Sequence, residues 1–413
     1  MNIAFIDARC IIGILQHPSF QLQSVRLVCH IARRIPRSQS PGINYCQVFS
    51  RELRTPVTEV IPLHRIAIDD LTVFVTACLR STGLGDADCR VTSEALVSTD
   101  AMGVFTHGSK LLVGYLKKLQ GGGYPIAAVP LIEREGPAWA IVDGCAGLGQ
   151  VGSTFALQTA IKKAKQYGVA FVSLRNTGHI GAAGHYALQA TKSGCLAMVT
   201  GNDMPSVAAP GSTKAVLGSN PLAYGIPTGG DPILLDIATA AVAGGKVYAA
   251  IQRGESIPTT WLIGPDGLPT TDGSLYPYHA ALAPMAGHKG YGLGLWCEVL
   301  SALIPGGAMT WQVGSWLFDA PSKPSLHNAS FFVADIDAMT DRVAFNSRMK
   351  SLIDEVHQAP TSDGIPSVLL PGEREFQMAR DAAQHGIALP EDVRVKLREC
   401  ADVVSSAVPD FLR

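Results

Sequence analysis

The chain has 413 residues, 47% of them hydrophobic, with 33 lysines and arginines against 34 aspartates and glutamates. So much apolar side chain supports one large core or several moderate ones and argues against disorder, and the balanced charge leaves no field to draw the chain to nucleic acid or an acidic membrane. The expected partner is therefore a small molecule or a second copy of the chain; no apolar run approaches the roughly 20 residues needed to cross a bilayer, so a soluble, cytoplasmic protein is expected. The nine cysteines follow no zinc-ribbon or disulfide-framework spacing, which fits a reducing compartment and no structural metal.

Residues 1–62 read as an extension of uncertain order. They are rich in arginine, lack lysine, and contain only Asp7, Glu52 and Glu59 as acids, a composition shared with organellar targeting segments. Residues 63–135 form a helical segment. "IDDLTVFVTACLRSTGL" and "DADCRVTSEALVSTDAMGV" place apolar residues at helical spacing behind aspartates able to cap. A third helix in "HGSKLLVGYLKKLQGGG" puts Leu111, Leu112, Tyr115, Leu116 and Leu119 on one face, and its glycines stop it.

Residues 136–350 alternate short apolar strands with helices: "AWAIVDG", "STFALQTAIKKAKQYG", "VAFVSL", "AAGHYALQATKSG" and "CLAMVT". This order predicts an α/β core of parallel βαβ units. "PILLDIATAAVAGGKVYAAI" adds a strand and a helix, and "HKGYGLGLWCEVLSALIPGG" a long apolar helix, with the turn-rich "GESIPTTWLIGPDGLPTTDGSLYP" between them as surface loop. Residues 351–413 are polar and helical, and are expected to pack back on the first helices.

Gly147, Gly149 and Gly152 give the order G-x-G-x-x-G between a strand and a helix. A Rossmann dinucleotide loop also needs an acid about 20 residues on, at the end of the second strand. That strand ends "SLRNTGH", with Arg175 and Asn176 instead, and "DGCA" makes the turn too long. A structural connection is the preferred reading, with a Rossmann-type reductase as its rival.

Chemistry concentrates elsewhere. His179, in "RNTGHIGAAGHYAL", lies among small residues that leave an imidazole accessible for acid–base work near neutral pH. His185 reads as a packed or surface histidine. His107 opens the third helix, with Thr106 before it and Lys110 one turn on. Asn220, Asp236 and Thr239 lie among glycines and small residues at strand ends, where open α/β sheets bind ligands; Asp236 either caps the next helix or orients a catalytic group. Lys289, between glycines at a helix start, suits a phosphate or carboxylate.

In order, "STDAMGVFTHG", "VDGCAGLGQVG", "NTGHIGAAGHY", "GSNPLAYGIPTG", "LLDIATAAVAGGKV" and "GHKGYGLGL" make residues 63 to 410 resemble the malate/L-lactate dehydrogenase family. The resemblance implies a homodimeric NAD- or NADP-dependent oxidoreductase with a non-Rossmann α/β cofactor domain of mixed sheet. It would interconvert 2-hydroxy and 2-oxo acids or reduce related cyclic imines. It further implies proton transfer by His179, a substrate-side role for His107, and cofactor contacts at Asp203, Ile237, Ala238, Thr239, Lys289, Gly372, Glu373 and Arg374. With Asp236 placed near the nicotinamide, the catalytic set is His179, His107 and Asp236. The family's S-H-G-x-x-R pattern is broken here, with Thr106 for serine and Leu111 for the arginine expected to hold a substrate carboxylate. Thr106 and Lys110 are the remaining candidates for substrate binding. A cofactor-free binding protein is the reading from outside the enzyme class.

Overall fold

A computed structural model describes residues 65–413; the readings of residues 1–62 lie outside the described residues. Strand β1 (Arg65–Ile66) leads into helices α1 (Ile68–Ser81), α2 (Asp86–Ala101) and α3 (Leu112–Gly121). On α1 the helical spacing of Leu71, Phe74, Val75, Cys78 and Leu79 buries one stripe. The aspartates expected to cap α1 and α2 do not: the N-caps are Ala67 and Gly85, and Asp69, Asp70, Asp86 and Asp88 occupy the first turns, where they favour the positive helix ends. The third helix begins with a 3-10 turn, Ser109–Leu111, and ends at Gly122, whose φ of 81° only glycine adopts freely.

A seven-stranded mixed sheet forms the centre. Its strands are β2 (Leu131–Gly136), β3 (Trp139–Asp143), β4 (Val169–Thr177), β5 (Cys195–Gly201), β8 (Leu222–Ile226), β9 (Ile233–Ile237) and β13 (His327–Asp335), in the order β2-β3-β4-β13-β5-β8-β9. Helix α4 (Gly149–Tyr167) joins the parallel pair β3 and β4, as the βαβ pattern requires, and α5 (Ala183–Lys192) leads from β4 to β5. The expected third parallel neighbour is displaced, because β13 inserts antiparallel between β4 and β5, with Phe331 opposite both Val172 and Val199. "HNASFFVAD" lies far down the chain, and no local pattern announces its insertion at the sheet's centre.

The segment expected to be surface loop between residues 254 and 277 is also corrected. It supplies β10 (Leu262–Ile263) and β11 (Pro269–Thr270) to a second sheet with β6 (Val207–Ala208), β7 (Ala215–Leu217) and β12 (Ala281–Leu282), in the order β11-β10-β12-β6-β7. Two-residue strands are too short to show an alternation, yet Leu262 is fully buried with Val207, Val247 and Leu282 beside α6 (Gly244–Gln252). Helix α7 (His288–Glu298) follows and runs into a π-helical stretch, Val299–Leu303.

The chain closes with α8 (Ile336–Met339), α9 (Arg342–His357), α10 (Glu373–His385), β14 (Ile387–Ala388) and α11 (Glu391–Val403). Strand β14 pairs antiparallel with β1, and Val393, Leu397 and Cys400 of α11 share one core with Leu71, Leu79, Leu112 and Leu116. That core carries the turn before α3 to the end of the central sheet. No helix among the described residues is long and apolar enough to cross a membrane.

Candidate active site

The loop from β4 into α5 is seated by the glycines that resembled a dinucleotide loop. A Cβ on Gly149 would come within 2.2 Å of the His179 carbonyl oxygen, one on Gly152 within 2.9 Å of Thr177 Oγ1, and one on Gly147 within 2.6 Å of Ala128 Cβ. The Gly178 N–H donates to the Gly147 carbonyl at 2.7 Å. The chain itself fills the space a pyrophosphate would need, so these glycines let α4 approach the loop carrying His179.

Tyr115 Oη lies 2.8 Å from His179 Nδ1, the Gly181 N–H donates to the same nitrogen at 3.3 Å, and the His179 N–H donates to Tyr124 Oη at 3.2 Å. With Nδ1 accepting from Gly181, Tyr115 donates to it and the neutral ring carries its proton on Nε2, which makes no hydrogen bond among the described residues; in the other tautomer Nδ1–H donates to Tyr115 Oη, the Gly181 bond is lost, and Nε2 can take a proton. The ring stacks against Trp316 at 4.8 Å and 23°, meets His327 edge-on at 5.5 Å, and faces His107 at 6.0 Å. Burial, reinforced by His327, pushes the His179 pKa down to about 3, although Asp203 opposes the shift.

Two carboxylates flank the histidines. Asp203 Oδ1 accepts from His327 Nε2 at 3.1 Å and from the Met204 N–H at 2.8 Å. Burial alone would raise its pKa, but the hydrogen bond and charge of His327 outweigh this and hold it below the usual aspartate value. His327 Nδ1 in turn meets Ser325 Oγ at 3.0 Å, and Ser325 meets Tyr124 Oη at 3.0 Å, which ties this network to the His179 backbone. Asp236 is the penultimate residue of β9, and its Oδ2 accepts the Gly184 N–H at 2.7 Å, so it caps α5 rather than the helix next in sequence. Its carboxylate is reachable by solvent, yet the protein packed around it raises its pKa against the opposing effects of Gly184 and His107. Burial lowers the His107 pKa, opposed by Asp236 and Asp203, and Thr106 Oγ1 lies 3.0 Å from His107 Nδ1.

Lys110 turns the other way and pairs with Asp392 of α11 at 2.7 Å, while Leu111 is buried in the helical core. Among the described residues, the charges that shift His107 are Asp236 and Asp203, and those that shift His179 are His327, Asp203 and His107. His185 packs against Ser98 at 3.1 Å, and burial takes its pKa down to about 4. Asn220 is buried and structural: it accepts from the Asp203 N–H at 3.1 Å and donates to Glu298 at 2.8 Å, fixing the Asp203 loop against α7.

Ile237, Ala238 and Thr239 follow from β9 toward α7. Thr239 donates both its N–H and its hydroxyl to the Ser219 carbonyl, at 2.8 and 3.0 Å, and Gly294 of α7 packs so closely that a Cβ there would lie 2.9 Å from Thr239 Oγ1. Lys289, in the first turn of α7, is exposed and makes no ion pair among the described residues; space beside Gly287 and Gly292 is open. Gly372, with φ 94°, abuts Leu234, whose N–H donates to the Pro371 carbonyl at 3.0 Å. Glu373 is engaged by His357 at 2.7 Å and by the Leu370 N–H at 3.0 Å, and Arg374 is exposed. Lys289 beside the open backbone at Gly287 and Gly292 suits an anionic dinucleotide, and exposed Arg374, which makes no ion pair among the described residues, is a second available cation.

The residues missed in the sequence are Tyr124, Trp316, Ser325 and His327, together with the polar role of Tyr115, which appeared only as a core-facing position. The phenol of a tyrosine on a buried helix face needs a partner, and that was the available signal. Tyr124 follows the glycines that end α3, and Trp316, Ser325 and His327 sit on β13 and the loop before it, whose place in the fold no local pattern announces.

Residues 66–398 match the family model for malate/L-lactate dehydrogenase. The chain is 33% identical over 345 residues to a malate dehydrogenase from Pyrococcus abyssi, a match covering 82% of this chain and 94% of that protein. It is 32% identical over 330 residues to the Escherichia coli ureidoglycolate dehydrogenase (NAD(+)), covering 80% of this chain and 93% of that one. The solved structure of malate dehydrogenase from Pyrococcus horikoshii superposes with a TM-score of 0.76 at 31% identity, covering 84% of this chain and 97% of that chain. With that extent of match on an α/β fold of mixed sheets, the chain belongs to the malate/L-lactate dehydrogenase family.

Proposed function

We propose that this dehydrogenase interconverts a small 2-hydroxy acid and its 2-oxo acid with NAD or NADP, using His179 as the proton-transferring group. The observation that carries this reading is a His179 imidazole whose Nδ1 is engaged by Tyr115 and whose Nε2 makes no hydrogen bond among the described residues, with burial lowering its pKa and so favouring the neutral ring. In the oxidation direction the hydroxyl proton passes to Nε2 of the tautomer whose Nδ1–H donates to Tyr115 Oη, leaving an imidazolium as a carbonyl forms, and in reduction it returns. The cofactor, when bound, takes or gives the hydride. His107, held by Thr106, orients the substrate oxygen, and Asp236 fixes the head of α5 beside it. Lys110 reaches a substrate carboxylate only by leaving Asp392.

Asp203, Ile237, Ala238, Thr239, Lys289, Gly372, Glu373 and Arg374 would hold the cofactor. The cations Lys289 and Arg374 suit its phosphates, and the open backbone at Gly287 and Gly292 leaves room for close approach. Exposed Leu293, Leu295 and Trp296 on α7, Leu303 at the end of its π-helical continuation and Ile304 just after it support a homodimer. Six free cysteines among the described residues suit the cytoplasm. The helices within residues 65–121 and 373–403 would act as one support for the catalytic core, whose central sheet already begins with β2 at Leu131, ahead of the boundary expected at 135/136.

A second reading has its own support. Leucine at position 111 and two carboxylates near the histidines disfavour a second anion and favour a protonated cyclic imine. A Pseudomonas syringae relative, 30% identical over 312 residues, is a Delta(1)-pyrroline-2-carboxylate/Delta(1)-piperideine-2-carboxylate reductase. A panel of 2-oxo acids and cyclic imines with NADH and NADPH, followed by loss of nicotinamide absorbance, separates the two. Turnover confined to imines selects the second reading, and no turnover with any member contradicts both.

A further inference from the structure

Lys118 lies on α3, one turn beyond Tyr115, and is only 1% exposed. A buried ammonium needs three acceptors for its three protons, and all three here are carbonyls of one loop: Ala320 at 2.9 Å, Lys323 at 2.8 Å and Asp319 at 3.5 Å. The same loop is seated on α3 by glycines. A Cβ on Gly121 would lie 2.4 Å from Pro321 Cβ, one on Gly114 would lie 2.6 Å from Trp316 Cζ3, and the Gly123 N–H donates to the Pro321 carbonyl at 3.0 Å. Within the loop, Asp319 accepts the Ser315 N–H at 3.1 Å and Ser315 Oγ accepts the Phe318 N–H at 2.9 Å. The side chain this construction delivers to the site is Trp316, stacked on His179 and 5.3 Å from Tyr115.

We propose that Lys118 is a positioning residue: its buried ammonium pins loop 314–325 to α3, which lays the Trp316 indole on the His179 imidazole, fixing the ring's plane and keeping water from that face. The proposal rests on His179 as the proton-transferring group. The other groups facing His179 are Tyr115 from α3, His107 from the turn before it, His327 from β13 and Asp203 from the loop after β5.

An imidazolium stacked on an indole interacts with its π face and quenches its emission. Trp316 fluorescence, taken as the difference between the unmodified protein and Trp316→Phe across pH, is expected to fall as His179 protonates, and the fall is expected to vanish in His179→Gln. A Lys118→Met protein that folds should lose the titration, and Lys118→Met with Trp316→Phe should match Trp316→Phe alone. The acidic limb of kcat/KM for oxidation should move upward by at least one pH unit in Lys118→Met, as water reaches the ring. If Lys118→Met does not fold, Lys118→Arg decides, because a planar fork cannot reproduce the three-carbonyl geometry and should weaken the titration. An unchanged titration in whichever lysine variant folds overturns the proposal. Full turnover in His179→Gln with the titration lost in that variant faults the catalytic reading and leaves the positioning intact.

Discussion

Two glycine-rich stretches of this chain look alike as text and differ as structure. At Gly147, Gly149 and Gly152 the positions where side chains would be are taken by the chain's own atoms, the nearest 2.2 Å from a Gly149 Cβ. At Gly287 and Gly292, around Lys289, nothing lies within 4 Å. The first stretch uses every glycine to bring pieces of the chain together; the second does so at Gly290, whose Cβ would lie 2.2 Å from the Met285 carbonyl oxygen, and at Gly294, and leaves backbone bare at Gly287 and Gly292 beside a cation. A glycine pattern states only that a side chain is not wanted, and the neighbours decide whether the protein or a ligand occupies the space.

The comparison can be broken by substitution, and the largest effect is expected at the closed stretch. Gly149→Val drives a side chain into the His179 carbonyl and should cost about 1–3 kcal/mol or more of stability, read by denaturant unfolding, with turnover falling as the His179 loop shifts. Cofactor affinity of the folded fraction should hold; its selective loss would return the dinucleotide site to this loop. Next in size, Lys289→Ala should weaken cofactor binding by about 10- to 100-fold, the scale of a charged hydrogen bond, with stability unchanged. Equal binding, measured by quenching of tryptophan emission with NADH and NADPH, would remove α7 from the cofactor site.

A smaller effect is expected with pH. The folded-state pKa of His185 is depressed to about 4 from an ordinary value of 6.5, so the unfolded chain takes up its proton first and stability falls as pH drops through that window. His185→Gln should shallow that fall in unfolding curves taken between those pH values, and an identical slope would contradict the assignment. Least of all, Lys110→Ala removes a partly exposed ion pair with Asp392 and should cost about 0–1 kcal/mol. If it instead abolishes substrate binding, Lys110 turns to the substrate in the working enzyme.

The helices were legible because their signals are local. Leu111 to Leu119 fall on one face at helical spacing, and the structure buries all five expected residues. The β3-α4-β4 unit was legible for the same reason. Strand β13 was not, because its place between β4 and β5 depends on partners more than 100 residues away in sequence. His327 and Trp316 were lost with it. The aspartates of α1 and α2 were misread as caps because a first-turn acid and an N-cap acid differ by one or two positions, within the uncertainty of any helix start read from sequence. The substitution of Leu111 for arginine could be seen, but the capture of Lys110 by Asp392 could not, since the two are 282 residues apart.

The central claim is that His179 moves the proton. It is tested most directly by His179→Ala, assayed with the best substrate of the panel at saturating cofactor and paired with a cofactor-binding titration. The account predicts turnover lower by about 10²- to 10⁴-fold with cofactor affinity nearly unchanged. Turnover equal to that of the unmodified protein would contradict it.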